Sequence, residues 1–162
     1  MKPVLDACCG PRMFWFNKQD ERAVFCDIRK EIRNTVKRNP IVVNPDVFSD
    51  YREIKFPDES FYHVVFDPPH LQNICKNSNI AFSYGLLENT WESDLKKGFK
   101  ECFRVLKPYG TLIFKWCETQ IPLKEVLKLT NNKPLYGHIS GKRSRTHWVA
   151  FIKEPHKNAH TR

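Results

Sequence analysis

Short apolar segments that end in an aspartate recur along the first half of the chain. They lie at residues 4–7, 23–27, 46–50 and 63–67, and their acids are Asp6, Asp27, Asp50 and Asp67. The connections between them are too long for tight hairpins, which predicts parallel strands joined by crossovers. Because the carboxyl ends of parallel strands meet at one edge of a sheet, we expect all four acids at that edge. A single acid at a strand end often caps the next helix instead.

The rest of the chain completes an α/β pattern. Residues 92–106 carry apolar side chains at three- and four-residue spacing, which predicts an amphipathic helix, and residues 123–129 predict a short one. Further strands are predicted at 111–116, 135–139 and 146–152. The expected fold is a Rossmann-like, doubly wound, mostly parallel sheet with an antiparallel C-terminal hairpin strand.

Composition indicates one folded domain. The 162 residues are 41% hydrophobic and 13% aromatic, which favours a single domain over residues 1–153 with a flexible tail at 154–162. No apolar run approaches the ~20 residues of a membrane span. The six cysteines show no zinc-site spacing, so we expect reduced thiols, a cytoplasmic protein and no metal. The net charge of +9 gives mild support to a polyanionic partner.

The segment Asp67-Pro68-Pro69-His70 forms a stiff corner at the end of a predicted strand. Neither proline has an N–H, so the carbonyls of Asp67 and Pro68 are not lost to a helix that starts there. A carboxylate, free carbonyls and the flat ring of His70 suit an exocyclic amino group on a planar ring. The alternative is an ordinary Pro-Pro turn.

The turn after the first strand has a single glycine, Gly10, followed by Pro11. A pyrophosphate-binding turn needs more glycines and more open N–H groups, so a dinucleotide is disfavoured. A nucleoside-like cofactor without phosphates fits better, with Asp6 placed for an ammonium group.

The next two strand ends offer acceptors for the rest of such a cofactor. Asp27 is placed like the acid that accepts hydrogen bonds from ribose hydroxyls. Asp50 is placed for an adenine amino group, with the N–H of Tyr51 facing a ring nitrogen and Ile28 packing on the ring face. Each acid is also compatible with a solvated or helix-capping role.

Taken together, the chain resembles the class I S-adenosylmethionine-dependent methyltransferases over nearly all of residues 3–153. The matching segments are 4–10, 24–29, 46–51, 55–70 and 103–115, and the last two have the most specific spacing. The resemblance implies S-adenosylmethionine as cofactor. It also implies cofactor contacts at Asp6, Ala7, Cys8, Gly10, Asp27, Ile28, Asp50 and Tyr51.

Within that family, residues 67–70 resemble the Asp/Asn-Pro-Pro-aromatic motif of enzymes that methylate amino nitrogens of nucleic-acid bases. This implies catalytic roles for Asp67, Pro68, Pro69 and His70, with adenine N6 favoured over cytosine N4. The acid and the following carbonyl would accept the two amino hydrogens, and the aromatic residue would stack on a flipped or splayed base. His70 departs from the usual Tyr, Phe or Trp.

Two segments are candidates for contact with nucleic acid, either DNA or RNA. Residues 71–91 follow the motif and should lie over the site. Lys142, Arg143 and Arg145 in the loop 140–145 are placed either to meet phosphates or to form a solvated hairpin tip. No insertion is large enough for a target-recognition domain, and by analogy a compact modifier of this kind suits a phage or mobile element.

Two alternatives stay open. One is a class I methyltransferase that acts on a small-molecule or protein nitrogen. The other is a catalytically silent protein of the same fold that binds a partner.

Overall fold

The computed structural model describes residues 2–35, 39–141 and 145–155. The strands are β1 Val4–Asp6, β2 Ala23–Asp27, β3 Glu31–Arg33, β4 Ile41–Val43, β5 Val47–Phe48, β6 Phe61–Phe66, β7 Leu106–Cys117, β8 Tyr136–Ile139 and β9 Thr146–Ile152. The helices are α1 Asn79–Tyr84, α2 Trp91–Val105 and α3 Leu123–Leu127.

The central sheet has the strand order β5-β2-β1-β6-β7-β9-β8. Its first five strands are parallel, β9 runs antiparallel to β7, and β8 pairs antiparallel with β9. The predicted mostly parallel α/β sheet with an antiparallel C-terminal hairpin is therefore confirmed. The chain winds to one side of β1 through β2 and to the other through β6, so the switch point lies at the carboxyl end of β1.

The main core lies between the sheet and α2. The apolar face of α2 buries Leu95, Phe99 and Cys102, as the three- and four-residue spacing predicts. The ring centroid of Phe99 lies 5.6 Å from that of Phe66 on β6 and 4.9 Å from that of Phe114 on β7. This contact joins the helix to the two strands that precede and follow it in the chain.

The connections from β1 to β2 and from β2 to β5 differ from the helices expected in a doubly wound sheet. Residues 7–22 form turns, whose Trp15 ring packs edge-on against Phe25 at 4.8 Å. Along the chain, the antiparallel pair β3–β4 comes between β2 and β5, and it forms a separate two-stranded sheet that was not predicted. The connection after β1 therefore packs on the sheet through an aromatic side chain rather than through a helix.

All six cysteines are unpaired. Within the described ranges, no helix has the length and apolar character needed to cross a membrane. Most of the predicted tail, residues 156–162, lies outside the described residues.

Gly98 permits the close approach of α2 to the sheet. A Cβ atom at this position would lie 2.6 Å from Cζ of Phe66 and 2.7 Å from Cδ2 of Tyr51. The Phe66 ring is fully buried and cannot move away without opening space elsewhere, and the partly buried Tyr51 ring packs against it.

We expect Gly98→Ala to lower the free energy of unfolding by about 1–2 kcal/mol, because overpacking outweighs the better helix propensity of alanine. Urea denaturation of the variant beside wild type measures the change. Lys96→Ala, on the exposed face of the same helix, is the matched control and should change stability by less than about 0.5 kcal/mol. A Gly98→Ala variant more stable than wild type would contradict the close-packing argument.

Candidate active site

Three aspartates meet at the carboxyl edge of the sheet because their strands are neighbours there. Asp6 ends β1, Asp27 ends β2, and Asp67 directly follows β6. All three are buried, with 0%, 5% and 8% of their surface exposed. Burial of several carboxylates in one place is costly unless each finds a donor or a cation, so the partners of each acid define the site.

Asp6 is held by neutral donors. The indole Nε1 of Trp15 donates to its Oδ2 at 2.7 Å, and the backbone N–H of Cys8 lies 3.4 Å from Oδ1. Burial raises the pKa of Asp6 to about 7, and the nearby charges of Asp67 and Asp27 act in the same direction. Burial at the end of a central strand therefore brings the pKa of this carboxyl close to neutral pH.

Asp27 accepts hydrogen bonds from Gly10 and Arg29. The N–H of Gly10 donates to Oδ2 at 3.0 Å, and Arg29 donates to Oδ1 from its backbone N and Nε at 2.9 and 3.1 Å. The same guanidinium donates to the carbonyl of Phe82 in α1 at 2.6 Å. Arg29 therefore ties the acid at the end of β2 to the helix above it.

Asp67 pairs with a cation on the adjacent strand. The register of β6 and β7 aligns Phe66 with Phe114, which places the following residues, Asp67 and Lys115, side by side. Lys115 Nζ donates to Asp67 Oδ2 at 2.6 Å. Asp67 Oδ1 is buried and has no hydrogen-bond partner in the described part of the chain. Burial raises the pKa of Asp67, while the Lys115 ammonium opposes that rise.

A cavity of about 170 Å³ opens beside these acids. Many of the predicted site residues line it, namely Ala7, Cys8, Gly10, Asp27, Ile28, Tyr51, Asp67 and Pro69. A second cavity of about 590 Å³ shares Pro11, Met13, Ser83 and Tyr84 with the first. The two cavities therefore have part of their wall in common.

Other predicted residues lie outside the wall of the first cavity. Asp6 lies behind it, and Asp50 faces a shallow depression on the neighbouring surface. Both oxygens of Asp50 accept hydrogen bonds from Arg52. Burial raises the pKa of Asp50, but these hydrogen bonds outweigh it and lower the pKa overall. Ser49, rather than Asp50, contributes to the cavity from this segment.

His70 is also outside the cavity wall. Its ring is buried and packs edge-on against Tyr84 at 5.1 Å and Trp116 at 6.2 Å. Burial lowers the pKa of His70 to about 4, and the Lys115 ammonium contributes to the lowering. The imidazole is thus neutral at physiological pH. Base stacking by His70 stays a prediction, and Tyr84 is the ring that reaches the cavity from this side.

The segment 71–91 lies over the site, as expected. Ser83, Tyr84, Gly85 and Leu86 line the first cavity. A Cβ atom at Gly10, which has a φ of 48°, would lie 2.8 Å from the carbonyl oxygen of Ser83. Only a glycine allows the first turn to meet this segment so closely.

The sequence interpretation did not identify Arg29, Phe14 or Lys115 as parts of the site. The first two line the cavity. Lys115 was part of a matching segment, but no role was assigned to it. The sequence did contain an indication of its role, because a lysine among the apolar residues of a strand needs a partner.

Of the predicted basic loop, Arg145 is exposed, and its backbone carbonyl accepts a hydrogen bond from the N–H of Glu118. Lys142 and Arg143 lie outside the described residues. The loop follows β8 and precedes β9, and Thr146 at the start of β9 pairs with Cys117 at the carboxyl end of β7. Arg145 therefore lies at the same edge of the sheet as the acids.

No protein-family model matches the sequence, and no curated protein matches it significantly. Solved structures do. The PH0226 protein of Pyrococcus horikoshii superposes with a TM-score of 0.60 at 17% identity, over 94% of this chain and 82% of that one. An S-adenosylmethionine-dependent methyltransferase of Methanosarcina mazei gives a TM-score of 0.56 at 15% identity, over 95% and 94% of the two chains.

A third similar structure is 1,6-didemethyltoxoflavin-N1-methyltransferase of Burkholderia thailandensis, determined with 1,6-didemethyltoxoflavin and S-adenosylhomocysteine bound. Its TM-score is 0.53 at 14% identity, over 95% of this chain and 72% of that one. The fold is that of S-adenosylmethionine-dependent methyltransferases. At these identities the likeness concerns the fold, and the chemistry has to be argued from the site itself.

The raised pKa of Asp6 predicts a stability cost that depends on pH. Below about pH 3 the carboxyl is protonated in both the folded and the unfolded chain. As the pH rises towards 7, the unfolded chain loses this proton while the folded protein keeps it, so the free energy of unfolding falls. Above pH 7 this contribution stays constant.

We therefore expect Asp6→Asn to gain stability relative to wild type progressively between about pH 4 and pH 7, and to keep that gain at higher pH. Urea unfolding of both proteins at intervals from pH 4.5 to 8.5 measures the difference. Asparagine retains an oxygen that accepts from Trp15, so the fold should persist. Parallel stability curves across this range would show that Asp6 has an ordinary pKa.

Proposed function

We propose that this protein is an S-adenosylmethionine-dependent methyltransferase that methylates an exocyclic amino group of a nucleic-acid base, with adenine N6 favoured. The observation that carries the proposal is Asp67 Oδ1. It is a buried carboxylate oxygen without a partner among the described residues, in a side chain that lines the cavity and is fixed through its other oxygen. A buried acceptor of this kind calls for an N–H donor from a ligand.

The site also fits the cofactor. Asp27 and Asp67 line the cavity and are paired with Arg29 and Lys115, Asp6 lies behind it, and the remaining wall is formed largely by small or apolar groups such as Ala7 and Ile28. Carboxylate acceptors beside an apolar wall suit a nucleoside-like ligand with N–H and hydroxyl donors better than a phosphate-bearing one. The close contact between Gly10 and Ser83 shows how tightly the first turn fits the segment above it.

In this proposal Ala7, Cys8, Gly10, Asp27, Ile28 and Tyr51 hold the cofactor. Asp27 accepts from ribose hydroxyls and shares its carboxylate with Arg29. When bound, S-adenosylmethionine would supply a methyl group on a positively charged sulfur. Transfer would break the sulfur–methyl bond, form the nitrogen–methyl bond, leave S-adenosylhomocysteine and release one proton of the amino group to solvent. The chain itself contributes position and charge rather than a strong base.

Asp67 orients the substrate nitrogen by accepting one of its N–H groups at Oδ1, and Pro68 and Pro69 hold the backbone rigid behind it. The flat ring that faces the substrate is assigned to Tyr84, which lines both cavities. His70 then supports Tyr84 from behind through their edge-on contact. Under this assignment residues 67–70 still hold the amino group, but the residue that stacks on the base is Tyr84 rather than His70.

We expect Asp67→Ala to abolish methyl transfer while retaining affinity for S-adenosylmethionine, because Asp67 acts on the substrate nitrogen. The assay incubates the protein with labelled S-adenosylmethionine and single-stranded DNA, duplex DNA, RNA or small heteroaromatic amines, followed by mass spectrometry of the nucleosides for N6-methyladenine. Calorimetry measures cofactor affinity separately. Glu92→Ala, on the exposed first turn of α2, is the control and should retain activity.

Three outcomes distinguish the candidates. N6-methyladenine in treated nucleic acid supports the proposal. Transfer to small amines alone supports the second candidate, a small-molecule N-methyltransferase, which is favoured by the segment 71–91 covering the cavity and by the small ligand bound to the Burkholderia enzyme. Absence of cofactor binding in calorimetry would overturn both and leave a silent binding protein.

Charge reversal tests the predicted nucleic-acid surface. Replacing Lys142, Arg143 and Arg145 by glutamate should weaken nucleic-acid binding and reduce the slope of log K against log salt by about three, if each side chain neutralises one phosphate. The matched control reverses the same charge at Lys96, Lys97 and Lys100, which are exposed on α2. Equal affinities of the two triple variants would assign any binding to net charge alone.

A further inference from the structure

The side chain of Lys115 is largely buried and is held by contacts on several sides. It is only 13% exposed, and its ammonium lies 2.6 Å from Asp67 Oδ2. The strand register fixes this pair, because Phe66 and Phe114 are aligned one residue earlier on β6 and β7. The lysine therefore reaches Asp67 from the side, across two adjacent strands.

Three aromatic rings surround the same ammonium. Lys115 Nζ lies 5.4 Å from the ring centroid of Phe14, 5.2 Å from that of Tyr84 and 5.7 Å from that of Trp148. These rings come from the first turn, from α1 and from β9. Cation–π attraction from several directions favours one position of the ammonium, so its partner Asp67 is held in one rotamer.

We propose that Lys115 is a positioning residue, which keeps Asp67 ionised and oriented so that its free Oδ1 receives an N–H of the substrate amino group. This inference rests on the proposed function. The ion pair occupies Oδ2 and leaves Oδ1 as the one carboxylate oxygen available for a ligand.

The ionisation state decides which hydrogen bond Asp67 makes. A carboxylate accepts from the amino group, whereas a protonated carboxyl also donates, and a donated proton would occupy the nitrogen lone pair that attacks the methyl group. Burial raises the pKa of Asp67, and Lys115 opposes it. The other titratable groups around Asp67 are Asp6 from β1, Cys8 after it, His70 in its own loop and Tyr84 on α1.

None of these other groups supplies a positive charge. Asp6 adds a like charge when it is ionised, His70 is neutral above about pH 4, and Cys8 has a raised pKa because of burial. Arg29, a further cation at the cavity, pairs with Asp27 instead. Among the described residues, Lys115 is therefore the cation that makes an ionised Asp67 compatible with burial. Stability alone gives weak grounds for such a pair, since apolar side chains of similar size often replace buried ion pairs without loss.

The first test titrates Asp67 directly and requires no activity. Carboxyl carbon shifts of ¹³C-labelled protein are followed against pH by NMR in wild type, Lys115→Met and Lys115→Arg, with Asp67→Asn used to assign the signal. Methionine fits among aromatic rings, so the fold should persist. We expect the Asp67 midpoint in Lys115→Met to rise by about one to three pH units, and Lys115→Arg to restore it.

The second test asks whether that titration controls the reaction. In Lys115→Met the acidic limb of the kcat profile should move to higher pH by the same amount, with KM for S-adenosylmethionine nearly unchanged. In the Asp67→Asn background, where this position cannot titrate, adding Lys115→Met should leave the profile in place. A merely structural lysine would lower activity equally at every pH.

The outcomes separate this inference from the proposed function. An unchanged Asp67 midpoint in Lys115→Met overturns the role of Lys115, whatever the activity of the enzyme. A raised midpoint in a protein that transfers no methyl group overturns the proposed function but keeps the electrostatic coupling of Lys115 to Asp67. A raised midpoint together with a shifted kcat profile supports both.

Discussion

The burial of three aspartates at one edge of the sheet is the constraint on which the rest of the site depends. Asp6, Asp27 and Asp67 end neighbouring parallel strands, so the fold itself forces them together. The protein satisfies each one differently: indole and backbone donors for Asp6, a guanidinium for Asp27 and an ammonium for Asp67. These partners come from the first turn, the β2–β3 connection and β7, so the acids also organise the segments around the cavity.

The burial of Asp6 is linked to the aromatic residues in the connection after β1, where a doubly wound sheet usually has a helix. The turn after β1 carries Phe14 and Trp15, which pack on the sheet through Trp148 and Phe25. Trp15 also donates to Asp6, so one side chain both covers the sheet and satisfies a buried acid.

Much of the fold was predictable, because apolar periodicity and strand-end acids are local signals. α2 was placed to within a residue at either end, and the mostly parallel sheet with its antiparallel C-terminal hairpin was predicted, but no order of the strands was assigned. The pair β3–β4 was missed because strands of three residues carry too little pattern. Lys115 and Arg29 were missed because their roles depend on register between strands and on contacts with α1. Asp50 was expected at an adenine, but Arg52 two residues later takes its carboxylate, a local pairing that the strand-end pattern does not show.

The proton affinity of Asp6 links stability to binding. A carboxyl with a pKa near 7 is half neutral in the free protein at physiological pH. A cationic ligand beside it favours the charged form, so binding would lower that pKa and release protons. Cofactor affinity should then increase as the pH rises through 7, opposite to the trend in stability. Burial of Asp6 therefore has two consequences: its carboxylate is unfavourable in the free protein, and the same carboxylate favours a bound cation.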